Sequence, residues 1–388
     1  MNTSYYDVII VGGGASALMC AATINANSDM KVLILEKNEV LAKKVKISGG
    51  GKCNITNVDV QAKHYLGNPY FINDVFRIFS KDDLLQFLDE HNLTPTIRKN
   101  RYYFCQKSSE EIISLFLKQM QRSEKITNCE VLDISKEEEL FTVKTSMKNY
   151  YATNVVVATG AISFSQVGVS GLGLEIAQKF GHKTSSFLPA LCGLTLQKEQ
   201  FWMKELSGIS TEVKIEIESR IVVEDLLFAH KGISGPAVLS ASLYWNKGIM
   251  IINFLPNSDL ETLLLSSKKM LSTLLPLPKR FTQEFLKSIN IEDKAIPKYT
   301  TQELAKIKRL QSYTFSPAGH FGLTKAEVCK GGIDCKAIDA KSMMSKKVDN
   351  LYFTGEVLDI TGELGGYNFQ WAFSSGFVAG SSIYSKSL

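Results

Sequence analysis

The chain contains 388 residues, of which 45% are hydrophobic and 21% are charged, close to the usage of ordinary globular proteins. This composition excludes a disordered tail, a collagen-like repeat and a long coiled coil, and the length predicts about two or three domains. The formal net charge of +5 is too weak to indicate nucleic-acid binding by itself.

The cysteines and histidines argue against several classes of site. The seven cysteines are irregularly spaced and no pair has the form C-x-x-C, so neither a secreted disulfide framework, a zinc ribbon nor a dithiol redox motif is predicted. The five histidines form no H-x-x-x-H or H-E-x-x-H pair, so we predict no metal site. Because no apolar run reaches the roughly 18 residues of a membrane span and the first basic residue is Lys31, we expect a cytoplasmic protein without a membrane segment.

The first 36 residues predict a strand, a glycine turn, a helix and a second strand that ends in an acid. Residues 6–11 (YDVIIV) and 31–35 (KVLIL) have the pattern of buried strands, and the Ala-rich segment between them favours a helix. The motif Gly12-x-Gly14-x-x-Ala17 has the dinucleotide-binding form. Gly12 permits a tight turn, Gly14 admits a pyrophosphate, and Ala17 lets the helix pack closely on the strand.

Glu36 follows the second predicted strand, 24 residues after Gly12. A carboxylate at this spacing accepts hydrogen bonds from the hydroxyls of an adenosine ribose. It also repels a 2′-phosphate, so this site is not expected to hold NADP, and both FAD and NAD remain.

A second glycine-rich segment lies at residues 43–57 (KKVKISGGGKCNITN). Three consecutive glycines let a backbone lie flat against a ligand, and the flanking lysines can neutralise a pyrophosphate. Cys53, Asn54 and Thr56 add hydrogen-bonding groups at close range. A flexible basic loop explains the same composition, and Cys53 is either a redox thiol or an inert small residue.

The rest of the N-terminal half alternates predicted helices and strands. Apolar residues at helical spacing predict one helix over 72–91, and strands are predicted at 140–144 and 154–158. A glycine-rich patch at 168–173 opens a further predicted helix over 174–180.

Two strand–turn segments are predicted to return the chain to the same ligand. The strand in VVVATG (155–160) ends in a small, tight turn, and NLYFTGEVLD (350–359) ends a strand in Thr-Gly followed by acids that can bind a ribityl chain. The segment GELGGYN (362–368) then leads into a predicted helix. Its N-terminus would stabilise negative charge on a reduced flavin ring.

The pattern changes after residue 189, which predicts a second domain. Strict alternation in KIEIE (214–218) is typical of an antiparallel strand. We therefore predict an α/β protein with a discontinuous Rossmann-type FAD/NAD(P)-binding domain at 1–189 and 345–388. An inserted α+β domain is predicted at 190–344.

With these motifs the chain resembles a family of bacterial flavoproteins that carry an inserted domain. Members include NAD(P)/FAD-dependent oxidoreductases, aminoacetone oxidases and 3-dehydro-bile-acid reductases. The resemblance runs nearly from end to end and implies non-covalent FAD and an insert built of a β-barrel-like part and helices. It rests on ISGGGKCNITN (47–57), LPALCGL (188–194), LLFAHKGISGPAVL (226–239), KGGI (330–333) and LYFTGEVLDITGELGGYNFQWAFSSG (351–376).

The resemblance also implies which residues contact FAD. The chain departs from the family at Ala161, where Gly is usual, and at Ser165 and Leu172, where Pro and Asp are frequent; these departures affect turns near the cofactor. The implied FAD contacts are Gly12, Gly14, Ala17, Glu36, Lys37, Gly50, Gly51, Cys53, Asn54, Thr159, Gly160, Gly355, Glu356, Gly366 and Asn368.

The predicted function is that of an FAD-dependent oxidoreductase, which transfers hydride between flavin N5 and a small organic substrate. Because the sequence contains one complete dinucleotide-binding unit, the protein is either an amine-type oxidase or a reductase that NAD(P)H visits transiently. The alternative is an FAD-binding protein that acts on or with RNA, with the Lys-rich helices of 267–308 facing phosphates. A solvated helix face explains the same lysines, so nucleic acid is not the expected partner; the oligomeric state stays open.

Three side chains are candidate catalytic groups: His230, Tyr367 and Cys53. Each lies in a motif that is expected to border the flavin or the insert. A structural role is the simpler explanation for His230.

Overall fold

The structure is a computed structural model that describes residues 4–163, 171–265 and 267–386. The chain divides into two units: unit 1 comprises residues 1–188 and 328–388, and unit 2 comprises residues 189–327. The insert was predicted to extend to residue 344, but the chain returns to unit 1 at Val328. The reason is local hydrogen bonding, since the Gly332 N–H donates to the Ser185 hydroxyl and the Ile333 carbonyl accepts from the Asp359 N–H.

The first segment of unit 1 alternates strands and helices, as its apolar pattern predicts. Its strands and helices are β1 (Tyr5–Val11), α1 (Ala15–Asn27), β2 (Val32–Leu35), α2 (Lys43–Gly51), β3 (Asn54–Asn57), β4 (Tyr65–Leu66), α3 (Pro69–Ile78), α4 (Lys81–Glu90), β5 (Thr96–Arg98), β6 (Tyr102–Phe104), α5 (Glu110–Gln119), β7 (Glu124–Ile126), β8 (Val131–Glu137), β9 (Leu140–Thr145), β10 (Asn149–Val157), α6 (Leu172–Lys179) and β11 (Thr184–Ala190).

Unit 2 mixes short strands and helices, and the chain then completes unit 1. The elements of unit 2 are β12 (Leu194–Thr195), β13 (Ser210–Ile217), β14 (Arg220–Ala229), β15 (Gly232–Ser234), α7 (Pro236–Tyr244), β16 (Met250–Asn253), α8 (Leu260–Leu265), α9 (Leu271–Leu274), α10 (Lys279–Ser288), α11 (Thr301–Ile307), β17 (Tyr313–Phe315) and β18 (Gly319–His320). The returning segment of unit 1 contains β19 (Val328–Ile333), β20 (Leu351–Phe353), β21 (Thr361–Gly362) and α12 (Tyr367–Ser385).

Unit 1 is organised around a mixed sheet with the strand order β7-β2-β1-β10-β9-β8, and β20 also pairs with β10. The pairs among β7, β2, β1, β10 and β20 are parallel, whereas β9 and β8 are antiparallel. The carboxyl ends of β1, β2, β10 and β20 therefore lie at one edge, where open α/β sheets bind ligands. The predicted α/β class with a Rossmann-type domain is confirmed.

Helices α1 and α12 pack closely through glycines. A Cβ on Gly376 would lie 2.3 Å from the Ser16 carbonyl oxygen, and one on Gly380 would lie 2.8 Å from the Cys20 carbonyl oxygen. Any larger residue would separate the two helices. The pair of glycines, four residues apart on one helix face, therefore fixes α12 in one register and sets where its N-terminus lies.

The helix predicted over 72–91 is two helices in the structure. The Ser80 side chain accepts a hydrogen bond from the Asp83 N–H at 3.2 Å, and the Asp83 carboxylate accepts from the Ser80 N–H at 2.7 Å. This capping box starts α4. The apolar pattern continues through buried Phe79, so periodicity alone could not locate the break.

Unit 2 contains a seven-stranded antiparallel sheet with the order β17-β16-β13-β14-β15-β12-β18. The predicted strand at 214–218 overlaps β13, whose residues alternate between buried and part-exposed. The family resemblance implies a barrel-like part in this unit. The described strands instead form an open sheet, with β17 and β18 as its edge strands. Aromatic residues fill the core of this unit, with the rings of Phe254 and Phe281 4.9 Å apart.

Candidate cofactor site

The turn between β1 and α1 has the geometry of an anion site. Gly12 has a φ of +102°, and a Cβ there would lie 2.5 Å from the Ala158 carbonyl oxygen, so only glycine fits. Gly14 is the N-cap of α1, and a Cβ on it would meet no atom within 4 Å. No side chain in the described part of the chain caps this helix end, so its first-turn N–H groups remain for a ligand such as a pyrophosphate.

Other predicted segments meet at the same turn. The Ala42 N–H donates to the Gly13 carbonyl at 2.8 Å, which places the start of α2 beside the turn. A Cβ on Gly355 would lie 2.6 Å from the Ser16 hydroxyl, so the turn after β20 packs on the start of α1. The end of β10 lies against Gly12. Segments distant in sequence therefore converge where the sequence predicts one cofactor.

Glu36 is held at the end of β2 by backbone and side-chain donors. Its Oε2 accepts from the Gly13 N–H at 2.7 Å, and its Oε1 accepts from both the backbone N–H and the side-chain amide of Asn38 at 2.7 Å. A carboxylate offers about four acceptor positions, so capacity remains for a ribose hydroxyl. Lys37, by contrast, pairs with Glu130 at 2.6 Å on the surface.

The predicted flat glycine loop is the irregular end of α2. Gly49, Gly50 and Gly51 have left-handed φ angles of +56°, +65° and +82°. A Cβ on Gly50 or Gly51 would meet no atom within 4 Å, whereas one on Gly49 would lie 3.0 Å from the Phe104 ring. The two glycines that are implied to contact the cofactor are thus the two that border open space.

Cys53 and Asn54 have different surroundings. Cys53 is fully buried, and burial raises the pKa of its thiol, an effect that Cys105 strengthens. Such a thiol is inert, so the structure argues against a redox role and favours the small-residue alternative. Asn54 begins β3, and in the amide orientation that matches donors to acceptors its oxygen accepts from the Gly366 N–H at 3.3 Å.

Thr159 and Gly160 form the turn after β10. Gly160 has a φ of +69°, and a Cβ on it would meet no atom within 4 Å. The Thr159 hydroxyl is buried without a hydrogen-bond partner among the described residues, so it can donate a hydrogen bond to a ligand or accept one from it. Open glycines, a free helix N-terminus, a ribose-type carboxylate and an unsatisfied hydroxyl together fit a dinucleotide such as FAD.

Lys44 and Glu356 form an ion pair that sequence reasoning missed. The Lys44 ammonium lies 2.6 Å from a Glu356 carboxylate oxygen and 2.8 Å from the Ser163 hydroxyl. The other Glu356 oxygen accepts from the Cys329 N–H at 3.2 Å. Glu356 and the lysines near the glycines were each predicted to approach the cofactor, but no local pattern shows that they pair.

The turn before α12 is built by Gly366 and Asn368. A Cβ on Gly366 would lie 2.6 Å from the Thr56 carbonyl, so α12 starts in contact with β3. The Asn368 side chain accepts from the Gly362 N–H at 2.8 Å and donates to the Gly362 carbonyl at 2.9 Å. Asn368 therefore supports the site by shaping its backbone.

A group of titratable side chains surrounds the start of α12. Tyr367 is 1% exposed, its ring stacks on His64 with centroids 4.8 Å apart, and the Arg101 guanidinium donates a hydrogen bond to its hydroxyl. Burial raises the pKa of Tyr367 to about 12, although Arg101 opposes this rise. Burial lowers the pKa of His64, whereas the negative charge of Glu363 acts to raise it. Sequence reasoning found Tyr367 through its motif, but Arg101 and His64 lie in no motif.

The candidate catalytic residue His230 lies in a different unit from Tyr367 and Cys53, and two other residues singled out in the sequence lie outside the described residues. His230 belongs to unit 2, is exposed, and lies at the turn between β14 and β15, whereas Tyr367 and Cys53 belong to unit 1. Ser165 and Gly168 fall outside the described residues. In the described part of the chain, no group of three or more His, Cys, Asp or Glu could hold a metal ion. No helix described there is both long and apolar enough for a membrane crossing.

Comparison with known proteins finds relatives along the whole chain. The HI0933-like protein Rossmann domain matches residues 6–382. The ribosomal RNA dihydrouridine synthase of Haemophilus influenzae is 33% identical, covering 98% of this chain and 99% of its own length. The 3-dehydro-bile acid delta(4,6)-reductase of Clostridium scindens is 28% identical, covering 96% and 97%. The solved 3-ketosteroid delta1-dehydrogenase of Sterolibacterium denitrificans shares the fold, with a TM-score of 0.52 at 12% identity over 99% of this chain and 100% of its own.

Proposed function

The chain belongs to the HI0933-like Rossmann family and is an FAD-dependent oxidoreductase, and from this premise we propose that it reduces a carbon–carbon double bond conjugated to a carbonyl group. The proposed substrate is a uridine of ribosomal RNA, which becomes dihydrouridine. NAD(P)H is the proposed electron donor, and FAD is held without a covalent bond.

The observation that carries this proposal is the end-to-end match to the Haemophilus influenzae protein at 33% identity. The reactions named for the two relatives also share one chemistry. In uracil the C5–C6 double bond is conjugated to the C4 carbonyl, and in a 3-oxo steroid a Δ4 double bond is conjugated to the C3 carbonyl. Either compound accepts a hydride at the carbon β to the carbonyl and a proton at the α carbon.

Both names describe reductions, which favours the reductase over the oxidase alternative. A steroid-type enone is the second candidate substrate, because the Clostridium scindens relative also matches over 96% of this chain. The RNA substrate comes first because the ribosomal RNA relative has the higher identity.

Unit 1 offers groups suited to the pyrophosphate and the adenosine ribose of FAD. The first turn of α1 would bind the pyrophosphate, and Glu36 would accept hydrogen bonds from the adenosine ribose. Gly50 and Gly51 would let the backbone approach the dinucleotide, since no atom fills the space beside them. When bound, the flavin supplies the hydride that the substrate carbon accepts.

The proton would come from Tyr367. Burial raises the pKa of this tyrosine to about 12, so its hydroxyl keeps its proton at neutral pH. Arg101, which donates a hydrogen bond to the hydroxyl, would stabilise the phenolate that proton transfer leaves behind. Tyr367 is therefore the proposed general acid and Arg101 its positioning residue.

The test begins with the visible spectrum of the purified protein under anaerobic conditions. An absorbance band near ~450 nm that bleaches with NADH or NADPH would establish a reducible flavin. Ribosomal RNA transcribed in vitro, and therefore unmodified, is then added to the reduced protein. We expect the band to return, and digestion of the RNA followed by mass spectrometry to detect a uridine that has gained two hydrogen atoms.

A 3-oxo-Δ4 steroid added to the same reduced protein separates the two substrates. Reoxidation by the steroid and not by RNA would transfer the proposal to the second candidate. An oxidised flavin that NAD(P)H does not bleach, but that an amine reduces under anaerobic conditions and air then reoxidises, would overturn the reductase in favour of the oxidase.

A further inference from the structure

Two segments of the chain are rich in basic residues and contain no acid. Residues 43–58 and residues 91–107 each contain four Lys or Arg and no Asp or Glu, so the rest of the chain has a net charge of −3. The first segment includes Gly50 and Gly51 of the candidate cofactor site. The second segment includes β5 and β6, and cofactor binding does not explain its charge.

The two segments are adjacent in unit 1. The hairpin at residues 96–104, here called the basic hairpin, continues the sheet that β3 begins, because β3 pairs with β6 and β6 pairs with β5. The Cys105 N–H donates to the Lys52 carbonyl at 3.0 Å, and the Ser109 N–H donates to the Gly51 carbonyl at 2.8 Å. β5 is the edge strand of this sheet, and its three residues are exposed.

Aromatic rings hold the arginines of the basic hairpin. The Arg98 guanidinium lies over the Phe104 ring, 4.8 Å from its centroid, and Phe104 packs on Gly49. Arg101 lies over the Tyr102 ring at 5.2 Å. An arginine held over a ring by cation–π attraction can still use its guanidinium N–H donors to contact a phosphate.

The basic hairpin is also joined to the proposed general acid. Arg101 donates a hydrogen bond to the Tyr367 hydroxyl. A Cβ on Gly365 would lie 2.5 Å from the Tyr102 ring, so this ring packs on the turn that precedes α12. A ligand that lies along the hairpin therefore reaches the start of α12.

We propose that the basic hairpin binds the phosphate backbone of single-stranded RNA and so guides an unpaired base to the site beside α12. This inference rests on the proposed function and names the contact through which the substrate is held. Cations interleaved with aromatic rings are typical of surfaces that bind single strands, and the cations of such surfaces contact the phosphates. RNA rather than an acidic peptide is the expected ligand, because the proposed substrate is a uridine of ribosomal RNA.

The Lys-rich helices of 267–308 are a weaker candidate for the same role. Lys287 pairs with Glu284, Lys294 with Glu303, and Lys308 with Glu261, at 2.7, 2.7 and 2.5 Å. These pairs engage three of the nine basic residues of 267–308, and the segment also contains four acids. The segment 91–107 contains four basic residues and no acid in its own sequence.

The test compares two charge-matched double variants. Arg98→Gln/Lys99→Gln removes two cations from the basic hairpin. Lys136→Gln/Lys148→Gln removes two cations that also lie over aromatic rings, at 5.1 and 5.0 Å, on the antiparallel part of the main sheet. The FAD content of each purified variant serves as the check of folding.

Binding is measured by fluorescence anisotropy with a labelled single-stranded oligouridine, over KCl concentrations from about 50 to 300 mM. For wild type and the control variant we expect the same steep fall of affinity with salt. For the hairpin variant we expect weaker binding, and a slope of log K against log[KCl] that is smaller by about 1.4, since each lost phosphate contact on a single strand removes about 0.7.

The outcomes separate this inference from the proposed function. An unchanged slope in the hairpin variant, or a wild type that does not bind the oligouridine, overturns the basic hairpin as an RNA surface. If the slope of log K against log[KCl] is smaller in the hairpin variant, as predicted, but wild type forms no dihydrouridine, the RNA-binding surface stands and the proposed reaction fails. If wild type forms dihydrouridine and the hairpin variant does so with unchanged KM, the reaction stands and the surface fails.

Discussion

Lys44 and Glu356 form a part-buried ion pair with a nitrogen–oxygen distance of 2.6 Å, although 312 residues separate them in the sequence. Lys44 lies near the start of α2, which is bonded to the β1–α1 turn, and Glu356 follows β20. The pair therefore joins the first and last segments of unit 1 at the edge of the candidate cofactor site. Its side chains are 27% and 17% exposed, so water screens it less than a surface pair.

A double-mutant cycle measures this coupling. Lys44→Met alone leaves the Glu356 carboxylate part-buried without its cation, and we expect a loss of about 1–2 kcal/mol in the free energy of unfolding. The coupling energy from Lys44→Met, Glu356→Gln and the double variant should be about 1 kcal/mol. Urea denaturation of the FAD-free protein gives each value.

The chain provides a control for this cycle. Lys37 and Glu130 form a pair of the same 2.6 Å length, but with side chains that are 44% and 45% exposed. Solvent screening should hold its coupling below about 0.5 kcal/mol. Equal coupling energies for the two pairs would mean that burial of Lys44 and Glu356 has no energetic consequence.

Gly14→Ala is expected to separate cofactor binding from folding. Gly14 has a φ of −84° and open space around its Cβ position, so alanine should change the free energy of unfolding by less than about 1 kcal/mol. The added methyl group enters the space that a pyrophosphate would occupy, so FAD affinity should fall at least tenfold. Isothermal titration of FAD into the apoprotein measures that affinity.

Gly12→Ala is the matched comparison for Gly14→Ala. A Cβ there would lie 2.5 Å from the Ala158 carbonyl oxygen, and φ is +102°, so we expect a loss of about 2 kcal/mol or more in folding stability. If Gly14→Ala binds FAD as tightly as wild type, the first turn of α1 does not hold the pyrophosphate.

The sequence predicts the cofactor-binding half of the site because that half is local. The strand, turn, helix and acid at residues 5–36 follow one another along the chain, and each element has its own pattern of apolar or small residues. The structure brings Glu36 to the Gly13 N–H at 2.7 Å, as that spacing implies. The same local logic found Thr159 and Gly160 at the end of β10.

The part of the site around Tyr367, at the start of α12, could not be predicted because it depends on tertiary contacts. Arg101 and His64 reach Tyr367 only through the packing of a hairpin and a short turn against α12, and neither carries a local signal. The uneven charge was readable in the sequence, since 91–107 contains four basic residues and no acid, but the total net charge concealed it. The insert boundary was misplaced because backbone hydrogen bonds, rather than composition, return the chain to unit 1 at Val328.

The thiols are expected to be unreactive in the native protein. All seven cysteines are buried, and burial raises the pKa of Cys53, which disfavours the thiolate that alkylation requires. Iodoacetamide at pH 8 should therefore label few or none in the folded protein and all seven after denaturation in urea, as counted by intact mass. Cys53→Ala should retain activity. Rapid native labelling of Cys53, together with loss of turnover, would restore the redox role.

Tyr367→Phe tests the proposed general acid. The variant keeps the ring that stacks on His64 and removes the hydroxyl that Arg101 contacts. Reduction of the flavin by NAD(P)H requires no proton from this group and should keep its rate. Reoxidation of the reduced flavin by substrate should slow by about 10²–10⁴-fold, which is the usual contribution of a general acid. Stopped-flow absorbance measures the two half-reactions separately.

The pH dependence of the second half-reaction gives an independent readout of the same group. An acid donates only while it is protonated, so its contribution is present below its pKa and is lost as the pH rises through that value. An ordinary tyrosine, with a pKa of 10, would make the rate fall from about pH 9 upwards. Because burial raises the pKa of Tyr367 to about 12, the single-turnover rate of wild type should stay level to about pH 10.5 and fall only above it. The Tyr367→Phe rate should be low and lack this fall, and a variant that follows the wild-type profile would show that another group donates the proton.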